Sequence, residues 1–350
     1  MSTNIAIIGG GILGTITAYK LASKGLNVSV FEASPNLGCG ITASCEGGLL
    51  HHTQGFFYPQ LQGLISKSVA GWNSLYQQFP NAFLTNSFLR VAYNDEDYAN
   101  VQRLAGHASQ TTKVDFIDDS EIHQLEPKIV SHNARGIVVH DERSIDTAML
   151  LRELRGSMEK NDNVTFNFNT NVTSVRSDDD GSTKIIISKD DVRSFDYTVV
   201  AGGPHAAANL LGAPAVEDKD LSHGISLFLP GDFGLNHHVL TLNGPNNSGL
   251  AYLVPCEGGL KVGATKVGGN IPEDMFIADH VQDVRSSLVA LYPEVEHAFK
   301  EAVPAVGLRD MRNPVCERFQ GGNIIVLGGV GGAGTTVSTG MAERVLSFIR

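Results

Sequence analysis

Cysteine is scarce in this chain of 350 residues: Cys39, Cys45, Cys256 and Cys316 stand apart, with no CxxC pair among them. The 12 histidines show neither HxxxH nor HExxH spacing. That pattern excludes a disulfide framework and a structural metal, so reduced thiols and no metal are expected. Basic blocks are missing as well, with 26 lysines and arginines against 37 acids and a formal net charge of -11. Without a basic run to neutralise phosphates, nucleic acid is not an expected partner. No apolar stretch reaches the roughly 20 residues of a membrane-spanning helix. The first residues run into an apolar segment without a basic leader or a small-residue cleavage site, so a cytoplasmic location is expected. Internal repeats and low-complexity linkers are also lacking, which implies that domains interleave along the chain.

What is present is ample core material. Hydrophobic residues make up 42% of the chain and charged residues 18%, enough for two joined globular domains. Asn4 to Ile8 reads as a short buried strand, Gly9 to Gly14 as a glycine-rich turn, Thr15 to Lys24 as a helix and Leu26 to Phe31 as a second strand. That is a βαβ unit.

From Tyr58 to about Val139 the rhythm is lost, with helical patterns at Ser66–Phe79 and Asn94–Ala108 and a β-type patch at Phe88–Ala92. A helix over Thr147–Lys160 is predicted, with Asp146 as its N-cap. Strands are expected at Val164–Asn169, Lys184–Ser188 and Ser194–Val200, then at Ile225–Leu229, Leu250–Val254 and Leu260–Ala264. A helix at Asp279–Leu291 follows, and a last strand, Asn323–Leu327, leads through Gly328–Gly334 into a terminal helix from Thr336 to Ile349.

Gly9, Gly11 and Gly14 have GxGxxG spacing between a strand and a helix, where backbone must approach a pyrophosphate closely. Glu32 ends the second strand 18 positions past Gly14, placed to accept hydrogen bonds from ribose hydroxyls. The C-terminal run Gly328, Gly329, Gly331, Gly332 and Gly334 again ends a strand and opens a helix. A simple nicotinamide domain has no use for this second helix N-terminus, whereas a flavin spanning both would. FAD is therefore the expected cofactor.

IAIIGGGILG with FEASP, GITASCEGGLLH, VVAGGPH, AYLVPCEGGLKVGATK, VGLRDM and IIVLGGVGGAGTTVSTG occur in that order. Together they resemble the D-amino acid oxidase and glycine oxidase family of FAD enzymes over nearly the whole chain. The resemblance implies an α/β fold: a Rossmann-like FAD-binding domain of the glutathione reductase type, interleaved with an α+β substrate domain on an antiparallel sheet. Residues 1–57, 140–215 and 300–350 are expected in the first domain, and 58–139 and 216–299 in the second.

It further implies that Gly9 to Gly14 and Glu32 hold the ADP half and that Thr42, Ala43 and Ser44 border the pyrophosphate and ribityl chain. Gly47, Gly48 and Leu49 would lie beside the flavin ring, Val172 would contact adenine through its backbone, and Gly202 and Gly203 would close over the cofactor. Gly331, Gly332, Gly334, Thr335 and Thr336 would approach the flavin's carbonyl edge, while Ile12, Leu13, Ala33 and Ser34 complete the set.

A substrate carboxylate calls for a planar, bidentate, charged partner, which arginine supplies. Arg309, in GLR, resembles the family's carboxylate-clamping arginine and also borders the cofactor. Tyr252, in AYLVP, resembles the tyrosine that adds a second hydrogen bond. The implied reaction is oxidation of the C–N bond of a small amino acid or related amine carboxylate by hydride transfer to flavin N5. The resulting imine hydrolyses to an oxoacid, and the electrons pass on to oxygen or a quinone.

His51 and His52 follow the flavin-side Gly48, where related 2-hydroxyacid-oxidising enzymes carry a histidine. His51 is thus a candidate to reach the substrate, and a 2-hydroxyacid dehydrogenase remains an alternative. A flavoprotein subunit of a heteromeric oxidase is another, and the oligomeric state stays open. Three departures stand out: Glu46 replaces a small or amide residue, His205 replaces an aromatic one, and RDMRNPVCERFQ lacks a TPDGxPxIG-like stretch. The spacing of Cys316 does not match the flavin thioether of sarcosine oxidases, so noncovalent FAD is expected.

Overall fold

The apolar runs assemble into three sheets in a computed structural model that describes residues 2–263, 267–269 and 273–349. The first sheet has six strands in the order Val315–Arg318, Ile324–Gly328, Tyr197–Val200, Asn4–Ile8, Asn27–Phe31 and Val164–Asn167. All neighbours are parallel except the first pair. Such a sheet must be covered on both faces, which is why its central strands Asn4–Ile8 and Ile324–Gly328 are near-continuous apolar runs. Ile5 and Ile7 join one core with the helices Ile12–Ala22 and Gly334–Phe348. Ala6 and Ile8 join another with Val175 and Ile185 from a three-stranded antiparallel sheet, Ser174–Ser177, Thr183–Ser188 and Asp191–Phe195.

This topology alone gathers the glycines. Asn4–Ile8, Tyr197–Val200 and Ile324–Gly328 run parallel, so the segments leaving their carboxyl ends, Gly9–Gly11, Ala201–Gly203 and Gly329–Gly332, emerge at one edge. Strand order reverses about Asn4–Ile8, and the crevice outside such a switch point is where open α/β sheets bind ligands.

The second sheet has ten strands. Its central path runs Val267–Gly268, Leu221–Pro230, Gly259–Gly263, Ala251–Cys256, His238–Thr241, Phe83–Ala92, Arg135–Ile145 and Gly48–Leu49. Val303–Asp310 pairs with Leu221–Pro230, and Val114–Ile117 with Arg135–Ile145. Most pairings are antiparallel, the bond between Phe83–Ala92 and His238–Thr241 being parallel. On one face, Leu89, Val91, Ile225 and Leu227 pack with Val284 and Leu288 of the helix Glu273–Leu291. On the other, Phe88, Ile137 and Val139 pack with Val101 and Leu104 of the helix Asp95–Ala108.

Several expectations are corrected. Ser194–Val200 is two strands, Asp191–Phe195 and Tyr197–Val200, which part at Asp196, whose carboxylate accepts from the Asn4 N–H at 2.7 Å. Arg135–Ile145 is an 11-residue strand that the sequence pattern concealed, because charged residues interrupt its alternation. The strand expected at Leu260–Ala264 is Gly259–Gly263, and Ala264 lies outside the described residues. Asp146 does cap its helix, accepting from Met149 N at 2.9 Å.

Segment membership also differs from the expected boundaries. Val303–Asp310 belongs to the second sheet, as does Gly48–Leu49. The helix Gln62–Gln78 sends Ile65, Trp72 and Leu75 into the core of the first. Trp72 Nε1 donates to the Thr336 carbonyl at 3.2 Å, which ties this helix to the terminal helix. No helix among the described residues is long and apolar enough to cross a membrane.

Candidate active site

A cleft of about 740 Å³ runs from the first sheet's glycine edge to the face of the second sheet. Both glycine turns open into it, with Gly9, Gly11, Glu32 and Ser34 at one end and Gly328–Gly332, Gly334 and Thr335 further along. Two glycines are sterically compelled at the first end. Gly9 has φ +105°, and a Cβ there would lie 2.6 Å from the Ala201 carbonyl oxygen. A Cβ on Gly14 would lie 1.9 Å from the Gly9 carbonyl oxygen, which is why helix and turn pack so closely.

Glu32 is fixed by backbone: its Oε2 accepts from Gly10 N at 2.6 Å and its Oε1 from Ser34 N at 2.8 Å. Each oxygen keeps lone pairs for a further donor. Thr42 Oγ1 accepts from Ile12 N at 2.9 Å, tying the Ile41–Ser44 turn to the helix N-terminus.

The middle of the cleft is bordered by Cys45, Glu46, Gly47, Gly48 and Leu50. Thr336 does not line it but clamps this segment to the terminal helix, donating to the Gly48 carbonyl and accepting from Leu50 N.

At the far end stand Tyr252, Arg309, Glu46 and Arg90. Tyr252 and Arg309 come from different strands of the second sheet, and each lies against a glycine of a neighbouring strand. A Cβ on Gly263 would sit 2.7 Å from the Tyr252 ring, and one on Gly224 would sit 2.3 Å from the Arg309 guanidinium. Burial pushes the Tyr252 hydroxyl above the usual phenol range, with Glu46 adding to the shift, so the hydroxyl keeps its proton as a donor. Burial likewise raises the Glu46 carboxyl, against the pull of Arg309 and Arg90.

Arg90, Phe57, Tyr58 and Gln54 line this cleft but were not among the residues expected from sequence. The available signal was Arg90 itself, a charge within the apolar run FLRVA. Strand alternation puts Phe88 and Arg90 on the cleft face and Leu89 and Val91 on the opposite one.

Other expected residues lie elsewhere. The Leu49 and Val172 side chains are buried in the cores, the contact expected of Val172 being one of backbone, and Ala33 and Ala43 are exposed at the surface. His51 is not among the lining residues. Burial, with His52 and Arg143 nearby, depresses it to about 4, so it is neutral, and its Nε2 has no hydrogen-bond partner. Cys316 is buried beneath the terminal helix, its Sγ 3.9 Å from the Met341 carbonyl, and does not line the cleft. His205 precedes the helix Ala206–Leu211.

Residues 4–347 match the family model described as FAD dependent oxidoreductase, DAO. The chain belongs to this family. As a member of the family it is an FAD-dependent oxidoreductase enzyme. Among curated relatives, glycerol 3-phosphate oxidase of Mycoplasma genitalium is 21% identical over 99% of this chain and 94% of its own length. A shorter match, 44% over 46 residues, spans 13% of this chain and 9% of the length of protoporphyrinogen oxidase 2 of Arabidopsis thaliana.

Among solved structures, iminodiacetate oxidase from Chelativorans sp. BNC1 is similar with a TM-score of 0.80 at 21% identity, covering 99% of this chain and 95% of that one. Glycine oxidase from Geobacillus kaustophilus gives 0.78 at 18%, with coverage of 99% and 95%. L-α-glycerophosphate oxidase from Mycoplasma pneumoniae with FAD bound gives 0.79 at 17%, with coverage of 100% and 95%. At these identities the structural likeness speaks to the fold.

The residues of this FAD-dependent oxidoreductase fit its cofactor. The helices Ile12–Ala22 and Gly334–Phe348 both begin at the cleft, and neither has a side-chain cap. Ile12 N is held by Thr42 Oγ1, and the remaining first-turn N–H groups can meet an outside acceptor, with the positive end of each helix dipole behind them. One such terminus suits a pyrophosphate and the other the carbonyl edge of a flavin.

Proposed function

We propose that this FAD-dependent oxidoreductase oxidises the C–N bond of a small amine bearing a carboxylate. Gly9, Gly11, Ile12, Leu13 and Glu32 hold the ADP half of the cofactor, with Ser34 beside them. Thr42 and Ser44 border its middle, and Gly47, Gly48 and Gly331 to Thr335 border the flavin. When bound, FAD supplies the hydride acceptor for the substrate's α-carbon. The second sheet holds the substrate against it.

The observation that carries this reading is the convergence of Arg309, Tyr252 and Glu46 on one end of the cleft. A guanidinium and a phenol donor orient a carboxylate, while the Glu46 carboxyl faces the amine. Loss of hydride from the α-carbon leaves an imine, which water converts to an oxoacid and ammonia. Neither Arg309 nor Tyr252 transfers a proton in this scheme. Both fix the α-carbon in place.

A second reading, oxidation of a 2-hydroxy acid, is favoured by one feature. His51 adjoins the cleft-lining Leu50, is neutral, and has a ring nitrogen without a partner, the state required of a base for a hydroxyl proton. Anaerobic bleaching of the bound flavin decides between the two. D-, L- or N-methyl amino acids should reduce it. Reduction by 2-hydroxy acids alone replaces the amine reading with the second.

A further inference from the structure

Arg90 is the least explained charge in the molecule. It lies mid-strand in the second sheet, between His238–Thr241 and Arg135–Ile145, with its backbone registered against Leu240 and Ile137. It is only 4% exposed, yet it borders the cleft. Among the described residues its guanidinium makes no hydrogen bond or ion pair. Its one recorded partner is the Phe57 ring, whose centroid lies 5.8 Å from the guanidinium carbon.

A guanidinium carries five donors in a fixed fork and is charged at neutral pH. Leaving such a group buried without an anion costs several kcal/mol by general expectation. Asp97 and Glu46 act on it electrostatically, but neither forms an ion pair with it. Asp97 is engaged elsewhere, accepting from Asn243 N at 3.0 Å. The open space that Arg90 borders is the cleft, and an acceptor for its donors can enter from there.

Arg309 stands in the same cleft, and both guanidinia bear on Glu46. This end of the cavity thus presents two positive side chains and one carboxyl. An amine with a single carboxylate would satisfy Arg309 and leave Arg90 without an acceptor.

We propose that Arg90 forms a second anion subsite, so that the substrate is a small diacid held by Arg309 and Tyr252 at one acid group and by Arg90 at the other. This rests on the reading that Arg309 and Tyr252 receive the first carboxylate. Phe57, 45% exposed on the short helix Gln54–Phe57, covers the outer side of the Arg90 guanidinium and limits the chain length of the diacid.

The test uses the FAD-loaded protein and non-reacting acids of matched length. Glutarate and succinate are compared with butyrate and propionate at constant ionic strength, by perturbation of the flavin absorbance. The diacids should bind at least about ten-fold more tightly than the monoacids, about 1.4 kcal/mol. In Arg90→Met the advantage should shrink to about two-fold, and Arg90→Lys should recover part of it. Equal binding of the two classes by the unaltered protein overturns the proposal whether or not the variants fold, as does a diacid advantage that survives in Arg90→Met.

Bleaching then separates this inference from the reading beneath it. Reduction by 2-hydroxy diacids but not by amino diacids removes the amine reading and leaves the subsite standing. Reduction by alanine or glycine with no gain for aspartate, glutamate or iminodiacetate removes the subsite and leaves the amine reading.

Discussion

The two ends of the cleft are made of different materials. At the glycine end the cavity wall is main chain, with Gly9, Gly11 and Gly202 presenting amides and carbonyls and Glu32 held by two backbone donors. At the other end the wall is side chain, with Arg90, Arg309 and Tyr252 on strands of the second sheet and Glu46 on the loop that precedes Gly48–Leu49, all half-buried or buried. A backbone wall recognises what is common to every holder of the same cofactor. A wall of buried charge is tuned to one substrate, and it makes the protein sensitive to pH.

The sharpest way to break this contrast is to remove a charge from the second end alone. Arg309→Ala should weaken carboxylate binding by about 3–5 kcal/mol, since a desolvated ion pair loses one partner. FAD content should change far less, because the glycine end that grips the ADP half is untouched. Titration of the holoenzyme with butyrate reads the first effect, and absorbance of the purified protein reads the second. Unchanged affinity would take Arg309 out of the site.

The converse change is Gly14→Ala. Its methyl would lie 1.9 Å from the Gly9 carbonyl oxygen, and since backbone cannot step aside like a flexible side chain, a cost of about 3 kcal/mol is expected. The protein should purify with little flavin and a lowered melting temperature. A fully yellow variant of unchanged stability would show that helix and turn are less tightly joined than the geometry says.

The same contrast explains what could be read from sequence. The glycine end was legible because glycines at fixed spacing between a strand and a helix have few other uses, and parallel pairing did the rest by bringing both turns to one edge. The carboxylate clamp was legible only through its resemblance to a family, since nothing local distinguishes Arg309 from a surface arginine. Arg90 was missed because its meaning lies in what surrounds it: a strand centre, a phenylalanine ring and no anion. Arg135–Ile145 was missed for a related reason. Its charged residues break the alternation that announces a strand, and the burial of Glu142 becomes visible only when the sheet is assembled.

Glu142 supplies a pH test. It is fully buried, and its Oε1 accepts from His52 N at 2.7 Å and Thr53 N at 2.8 Å, bracing the loop between cleft-lining Leu50 and Gln54. Burial pushes its carboxyl up to about 8. Between the ordinary carboxyl range and about 8 the folded protein holds a proton that the unfolded chain has released, so stability falls as pH rises through that window. His51 and His238 have the opposite sign: both are depressed by burial, to about 4 and about 3. Their contribution to stability is therefore lost as pH falls below about 6.5. From pH 6.5 to 8 Glu142 should lower stability by about 1.6 kcal/mol, offset by about 0.4 kcal/mol from each of the two histidines as the unfolded chain sheds its last imidazolium protons. Denaturant unfolding should show this slope in the unaltered protein and a flatter one in Glu142→Gln, whose amide oxygen still accepts both N–H bonds. Parallel slopes would mean that Glu142 ionises freely in the fold.

The smallest expected effect is at Tyr252. Tyr252→Phe keeps the ring against Gly263 and removes only the hydroxyl, which the acidic and buried surroundings keep protonated. If that hydroxyl shares the substrate carboxylate with Arg309, one hydrogen bond to a charged group is lost, about 1.5 kcal/mol, or roughly ten-fold in affinity. The loss should fall on KM and leave kcat little changed, because the bond is made equally before and during hydride loss. It should also appear for monoacids and diacids alike, unlike any change at Arg90. A fall in kcat with KM unchanged would instead give Tyr252 a role that begins only once the α-carbon reacts.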